Sequence, residues 1–291
     1  MVAIAADAAV LDAVRGLGWP ARHKARNALP GAHASVTRGS SAEFVEYRLY
    51  RQGDDPARID WKLLGRTDRV FVRLSPERAI VPTIVVLDGS ASMAFPQPAL
   101  DKWMFGSQVA IGLLAIARHG GDPAGLIVVR GADVQVVVPR TRRTVLEEMF
   151  RAAAPPPAGS SVLAGAIGIA MRRAARIVIV SDFLGDAEAQ IGRIRQQGSR
   201  SHEVHAVHVV AQEELEPDAA NRLVADPEEP ELRRPMPASA RAEYQRRFGT
   251  WREELARSWR AVGASYTLLV TGAESLRHAV RRISAPPERL R

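Results

Sequence analysis

The stretch that most constrains this chain is Ile84-Val85-Val86-Leu87-Asp88-Gly89-Ser90-Ala91-Ser92-Met93. A short run of β-branched and large apolar residues, bounded by turn residues, reads as a strand buried on both faces. It ends abruptly in an acid and two hydroxyls at alternate positions on a Gly-containing turn. The polar residues therefore sit at the strand's carboxyl end, where open α/β sheets place their ligand sites. Oxygen donors of this kind suit Mg²⁺ or another hard cation. Taken alone, the stretch has a second reading, in which Asp88, Ser90 and Ser92 cap the next helix, since Ser and Asp are common N-caps. The rest of the chain decides between the two.

A second run repeats the pattern. Arg176-Ile177-Val178-Ile179-Val180-Ser181-Asp182-Phe183 is a buried strand ending in an acid. Between the two lies Gly159-Ser160-Ser161-Val162-Leu163, a small polar loop opening a helix, with Ser160 or Ser161 as the natural N-cap. Further helices are expected over 2–17, 102–119, 141–153, 186–197, 238–261 and 274–283, and strands over 125–129, 134–138, 203–210 and 265–270. The 134–138 strand follows 125–129 through Gly131-Ala132-Asp133, which suggests a hairpin. The 102–119 helix is apolar almost all round and so is buried on more than one side. Tyr244, Phe248, Trp251, Leu255 and Trp259 form a helical stripe that reads as core. Strand–helix alternation through the last two-thirds predicts an α/β fold, a doubly wound, mostly parallel sheet flanked by helices.

Ahead of it, residues 1–80 read as a loop- and strand-rich N-terminal extension, and 81–291 as the main domain. Residues 20–42 lack periodicity. In the charged segment 43–62, Arg48, Asp54, Asp55, Arg58 and Asp60 are expected to form a salt-bridged network. Residues 212–237 are acidic and Pro-rich and read as an insertion, a solvated surface loop.

At 291 residues and 46% hydrophobic, the chain can bury a sizeable core. It contains no cysteine, which excludes disulfides, thiol nucleophiles and Cys-based zinc sites. The net charge of +8 and the pI near 10.6 raise nucleic acid as a partner. Yet only Lys24, Lys62 and Lys102 are lysines, no aromatic–basic interleaving accompanies the arginines, and a composition bias explains the charge better. Asp7 and Asp12 interrupt the N-terminal apolar run, so it is not a signal peptide, and no stretch is apolar enough to span a bilayer. A cytoplasmic protein without a membrane partner is expected.

Asp88, Ser90, Ser92, Ser161 and Asp182 thus make a set of two carboxylates and three hydroxyls. Two acids cancel the charge of a divalent ion and hydroxyls add none. The ion stays electrophilic and favours an anionic ligand from outside, such as a partner's Asp or Glu. An enzymatic alternative, a metal-dependent phosphoester hydrolase, would use Asp88 as phosphoryl acceptor. Ser90, however, breaks the Asp-x-Asp motif of such enzymes, and neither a P-loop nor a G-x-S-x-G elbow occurs. His202, His205 and His208 are three apart on a strand, so neighbours face opposite sides.

The order Asp88-x-Ser90-x-Ser92, Ser161, Asp182 resembles the metal-ion-dependent adhesion site of the von Willebrand factor A fold, with Ser161 where that family usually has Thr. A narrower resemblance rests on Glu43-Phe44…Arg48-x-Tyr50…Gly53-Asp54-Asp55-x-x-Arg58-Ile59-Asp60-Trp61, then Gly65-Arg66 and Glu77, and later Ser181-Asp182-Phe183 and Asp226-Pro-Glu228. These resemble the bacterial family labelled domain of unknown function fifty-eight, across about residues 38–270; Gly65-Arg66 replaces its more usual Ala-Arg. The resemblance implies a von Willebrand factor A-like adaptor. It implies metal binding by Asp88, Ser90, Ser92, Ser161 and Asp182, with Mg²⁺, Ca²⁺ or Mn²⁺ as the ion. Its implied partner is a MoxR-type AAA+ ATPase, in maturing or remodelling a client protein, and it implies no reaction.

Overall fold

A computed structural model of the chain describes residues 2–20, 30–34, 46–54, 56–74, 78–160, 162–197, 202–217, 222–225, 233–236 and 240–285. Ser161, Asp55, Glu43, Phe44, Glu77 and the Asp226–Glu228 motif lie outside the described residues. Two compact units are present, one formed by residues up to 19 together with 82–285, the other by 20–81.

In chain order, helix α1 (Val2–Ala13) opens the first unit. The second unit holds strands β1 (Pro30–Ala34) and β2 (Glu46–Leu49), helix α2 (Trp61–Thr67), and strands β3 (Phe71–Leu74) and β4 (Arg78–Ala79). β1 pairs with β4 and β2 with β3, both antiparallel. Part of the 20–42 stretch, which lacks periodicity in the sequence, is therefore strand. Of the expected charge network, Arg48 pairs with Asp54 at 2.6 Å. Asp60 caps α2, accepting from the Lys62 and Leu63 amides at 3.0 Å each, and also accepts from the Tyr47 hydroxyl at 2.9 Å.

The first unit continues with β5 (Thr83–Asp88), α3 (Asp101–His119), β6 (Ala124–Arg130), β7 (Asp133–Arg140), α4 (Thr144–Ala153), α5 (Leu163–Met171), β8 (Arg176–Ser181), α6 (Ala187–Gln197) and β9 (Glu203–Val210). After these come α7 (Gln212–Leu215), β10 (Arg222–Ala225), β11 (Arg233–Met236), α8 (Arg241–Ala261), β12 (Ser265–Val270) and α9 (Leu276–Ser284). Six strands form one sheet in the order β12-β9-β8-β5-β6-β7. All neighbours are parallel except β6 and β7, the expected hairpin. The doubly wound, mostly parallel sheet read from the sequence is present.

Strand periodicity divides the core. Val85 and Leu87 face the layer of α1, α3, α4 and α9, whereas Ile84 and Val86 face that of α5, α6 and α8. Every residue of β5 and β8 is buried, which is why both read as unbroken apolar runs. α3 lies against the sheet and under other helices. A Cβ at its Gly112 would stand 3.1 Å from both Val14 of α1 and Val280 of α9, so the missing side chain admits close helix approach.

Three details depart from the sequence reading. The N-cap of α5 is Val162, which makes no side-chain cap bond, so neither Ser160 nor Ser161 holds that position. The 212–237 stretch, read as a solvated loop, contains the α7 turn and the antiparallel β10–β11 pair. Of the α8 stripe, Leu255 and Trp259 are buried core, whereas Tyr244, Phe248 and Trp251 are half-buried and stack on one another at 5.5–5.6 Å. Among the described residues no helix is long and apolar enough to cross a membrane.

Candidate metal centre

The sheet order places the site. From β5 the chain moves outward through β6 and β7, then returns to β8 on the other side of β5. The carboxyl ends of β5 and β8 therefore flank the point where the winding reverses, the crevice in which open α/β sheets bind ligands. Asp88 ends β5, and Asp182 directly follows β8.

Three turns meet there. Ser181 Oγ donates to Asp88 Oδ2 at 2.5 Å and accepts from the Phe183 amide at 2.8 Å, tying the β8 turn to the β5 turn. The Ala158 amide donates to the Gly89 carbonyl at 2.8 Å, and the Ala91 amide to the Gly159 carbonyl at 2.7 Å. These two bonds lay the loop preceding Ser161 along the Asp88–Ser92 turn. Gly89 is needed at this crossing. A Cβ there would stand 2.6 Å from Arg130 Cγ and 2.9 Å from the Val129 carbonyl oxygen.

Within the turn, the Ser90 amide donates to Asp88 Oδ1 at 2.9 Å, and the Ser90 and Ser92 hydroxyl oxygens are 3.0 Å apart. Asp88, Ser90, Ser92 and Asp182 are all buried. Burial first, and the neighbouring Asp182 carboxylate second, hold the Asp88 carboxyl above the usual carboxylate range, against the bonds from Ser181 and Ser90. The two acids are close enough for Asp182 to raise Asp88, and Asp182 already has the Lys102 ammonium on one oxygen.

The donor set fits a hard divalent ion. The two serine oxygens are hydrogen-bonded to each other at 3.0 Å, a separation that adjacent oxygens around an octahedral ion at about 2.1 Å also take. Among the described residues no three His, Asp or Glu side chains cluster as a metal site, so an ion here would rest on two carboxylates and hydroxyls.

The structure adds residues that sequence reasoning did not place. Lys102, at the start of α3, is fully buried, and its Nζ donates to Asp182 Oδ2 and to Glu214 Oε1, each at 2.8 Å. Burial works against the ammonium, but Asp182 and Glu214 outweigh it and hold the Lys102 pKa above its ordinary value. The available signal was a lone lysine, one of three, at the head of an otherwise apolar helix. Glu214 Oε2 in turn accepts from the Ala211 amide at 2.8 Å. Ser181, quoted in the sequence only as part of a motif, is the link between the two acids' turns.

Behind Asp182, Phe183 packs edge-on against His208 at 5.6 Å and, tilted, against Trp259 at 5.2 Å. His208 Nδ1 and the Tyr266 hydroxyl oxygen are hydrogen-bonded at 2.5 Å, and the ring stands against the Asp182 backbone. Burial pushes the His208 pKa down to about 3. His205 bonds instead to Glu203 and Ser265 and packs on Trp19, on the opposite face, as strand alternation requires. An open cleft of about 490 Å³, lined by Asp101, Gln212, Glu213, Thr271, Gly272 and Ala273, lies along the same end of the sheet beyond β9 and β12, not on the Asp88 turn.

Comparison with known proteins adds relatives of the same extent. The chain is 29% identical over 288 residues to "Uncharacterized protein Rv1480" of Mycobacterium tuberculosis, covering 96% of this chain and 90% of that protein. The same figures hold for "Uncharacterized protein Mb1516" of Mycobacterium bovis. Among solved structures it is similar to the conserved hypothetical protein BatB from Bacteroides thetaiotaomicron, with 16% identity, a TM-score of 0.44, and coverage of 70% of this chain and 97% of that one. It is also similar to the SpRpn10 VWA domain, with 14% identity, a TM-score of 0.41, and coverage of 70% and 95%. The family described as Protein of unknown function DUF58 matches residues 46–254, from β2 through the switch-point turns and into α8, and the chain belongs to that family.

Proposed function

We propose that this chain is a metal-dependent protein-binding module. Asp88, Ser90, Ser92 and Asp182 would hold Mg²⁺, or Ca²⁺ or Mn²⁺ in its place, with Ser161 as the further donor implied by the family resemblance. The observation that carries the reading is the meeting of three turns at the switch point of the sheet, cross-linked by the Ser181–Asp88, Ala158–Gly89 and Ala91–Gly159 bonds.

A bound ion would supply an electrophilic centre for an Asp or Glu side chain of a protein partner. The chain's own residues set that preference. Two carboxylates balance a divalent charge, hydroxyls add none, and burial keeps water from screening the site. Apolar side chains stand beside the donors. Val162, next to Ser161, is 73% exposed, and Leu184, two residues past Asp182, is 48% exposed. Exposed apolar groups next to a polar centre suit a partner whose acidic residue is flanked by hydrophobic ones. In this reading the partner is a MoxR-type AAA+ ATPase or its client, and the module acts as an adaptor without a reaction of its own.

The test is a pull-down with the full chain as bait, with and without chelator, beside Asp88→Ala. Recovery of a MoxR-type ATPase by the unmodified chain only without chelator, and not by Asp88→Ala, is the expected result. Equal recovery in all conditions contradicts the reading, as does phosphoester turnover that depends on Asp88.

A further inference from the structure

Lys102 is the one buried cation at the switch point among the described residues, and the donor set assigned to the ion does not use it. It reaches the crevice from the first turn of α3, 80 residues before Asp182 and 112 before Glu214 in sequence. Its ammonium has three donors, two of them committed to carboxylates. Asp182 Oδ1 accepts from the Leu184 amide at 3.2 Å, and Oδ2 is the oxygen that Lys102 holds. An ion drawing on Oδ2 therefore meets a cation already on that oxygen.

Glu214 is placed to resolve the conflict. Its Oε2 is pinned by the Ala211 amide at the start of α7, and Oε1 faces Lys102. Charge supports an exchange. Asp88, Asp182 and Glu214 with Lys102 sum, when all are ionised, to three negative charges and one positive, and a divalent ion cancels the difference.

We infer that Lys102 is a tethered counter-cation of this site, which a divalent ion displaces from Asp182 while Glu214 retains it. The inference rests on the metal-binding reading and concerns its regulation: the strength of the Lys102–Asp182 contact sets the ion's affinity. It also joins the site to α7, since Lys102 is shared between Asp182 and the residue that anchors that turn.

Only three lysines occur in the chain, so the inference can be tested on the ammonium itself. The full-length Lys24→Arg/Lys62→Arg protein retains Lys102 as its single lysine. With ¹⁵N-labelled lysine, its ammonium resonance is followed through a Mg²⁺ titration. In parallel, Mg²⁺ affinity is measured for the unmodified chain, Lys102→Met and Glu214→Gln. The resonance should shift with the same half-saturation as Mg²⁺ binding. Lys102→Met should bind Mg²⁺ at least about tenfold more tightly, because a neighbouring unit charge is removed. Glu214→Gln, which leaves Lys102 to Asp182 alone, should bind it more weakly. If Lys102→Met does not fold, the resonance and Glu214→Gln still decide.

A resonance unmoved at Mg²⁺ saturation, or Lys102→Met binding no tighter than the unmodified chain, overturns the counter-cation role and leaves metal binding standing. Absence of Mg²⁺ binding in every protein, Lys102→Met included, overturns both.

Discussion

Acid should weaken this fold through His208. The ring is buried behind Asp182, between Phe183, Trp251 and Tyr266, and its pKa falls from 6.5 to about 3, chiefly through burial. Because the folded value lies below the unfolded one, the folded state takes up fewer protons. The neutral ring's contribution is fully present above pH 6.5 and is lost as pH falls toward 3. For those two values, moving from pH 7 to pH 5 removes about 2 kcal/mol, and the whole window about 5 kcal/mol. The assay is urea denaturation at pH 7 and pH 5 for the unmodified chain and for His208→Gln, whose amide does not titrate and can still hydrogen-bond the Tyr266 hydroxyl. The unmodified chain should lose about 2 kcal/mol more than the variant between the two pH values. Parallel losses would refute the reasoning and mean that His208 titrates as an ordinary histidine. Since the His208 ring stands against the Asp182 backbone, its protonation should disturb the turn that carries the candidate ligand.

Three further outcomes follow from packing and capping. Gly89→Ala must push a methyl toward Arg130 Cγ and the Val129 carbonyl, and should cost about 1–3 kcal/mol in denaturant unfolding while weakening Mg²⁺ binding. Gly112→Val fills the space against Val14 and Val280 and should cost about 1–3 kcal/mol by the same measurement, with no effect on metal affinity. Asp60→Ala removes the α2 cap, worth about 1 kcal/mol, and should raise hydrogen exchange of the Trp61–Thr67 amides about fivefold.

What could be read from the chain was what local pattern records. β5 and β8 are buried on both faces and appear as apolar runs, and each run's terminal acid marks the end of a parallel strand at the switch point. The mostly parallel, doubly wound character of the sheet follows from strand–helix alternation, and the β6–β7 hairpin from a Gly-Ala-Asp turn. Contacts between distant positions left no such trace. Lys102 meets Glu214 across 112 residues, and neither the apolar pattern of α3 nor the acidity of the 212–237 stretch signals the pairing. That stretch reads as solvated by composition, although Glu214 reaches the sheet's carboxyl end and β10 pairs with β11. Asp60 reads as a network charge, yet Asp also serves as a cap, and only the geometry of the Lys62 and Leu63 amides separates the two. The start of α5 departs from its local pattern for a related reason. Small hydroxyl residues favour N-caps, but here the loop is bonded through its backbone to the Gly89 turn, which moves the helix start to Val162.

The most direct test of the central claim is calorimetric titration of Mg²⁺ into the full chain and into Asp88→Ala, with circular dichroism confirming that both are folded. The expected result is one Mg²⁺ per unmodified chain and none for Asp88→Ala. Equal binding by the two folded proteins, or no binding by the unmodified chain, would contradict it.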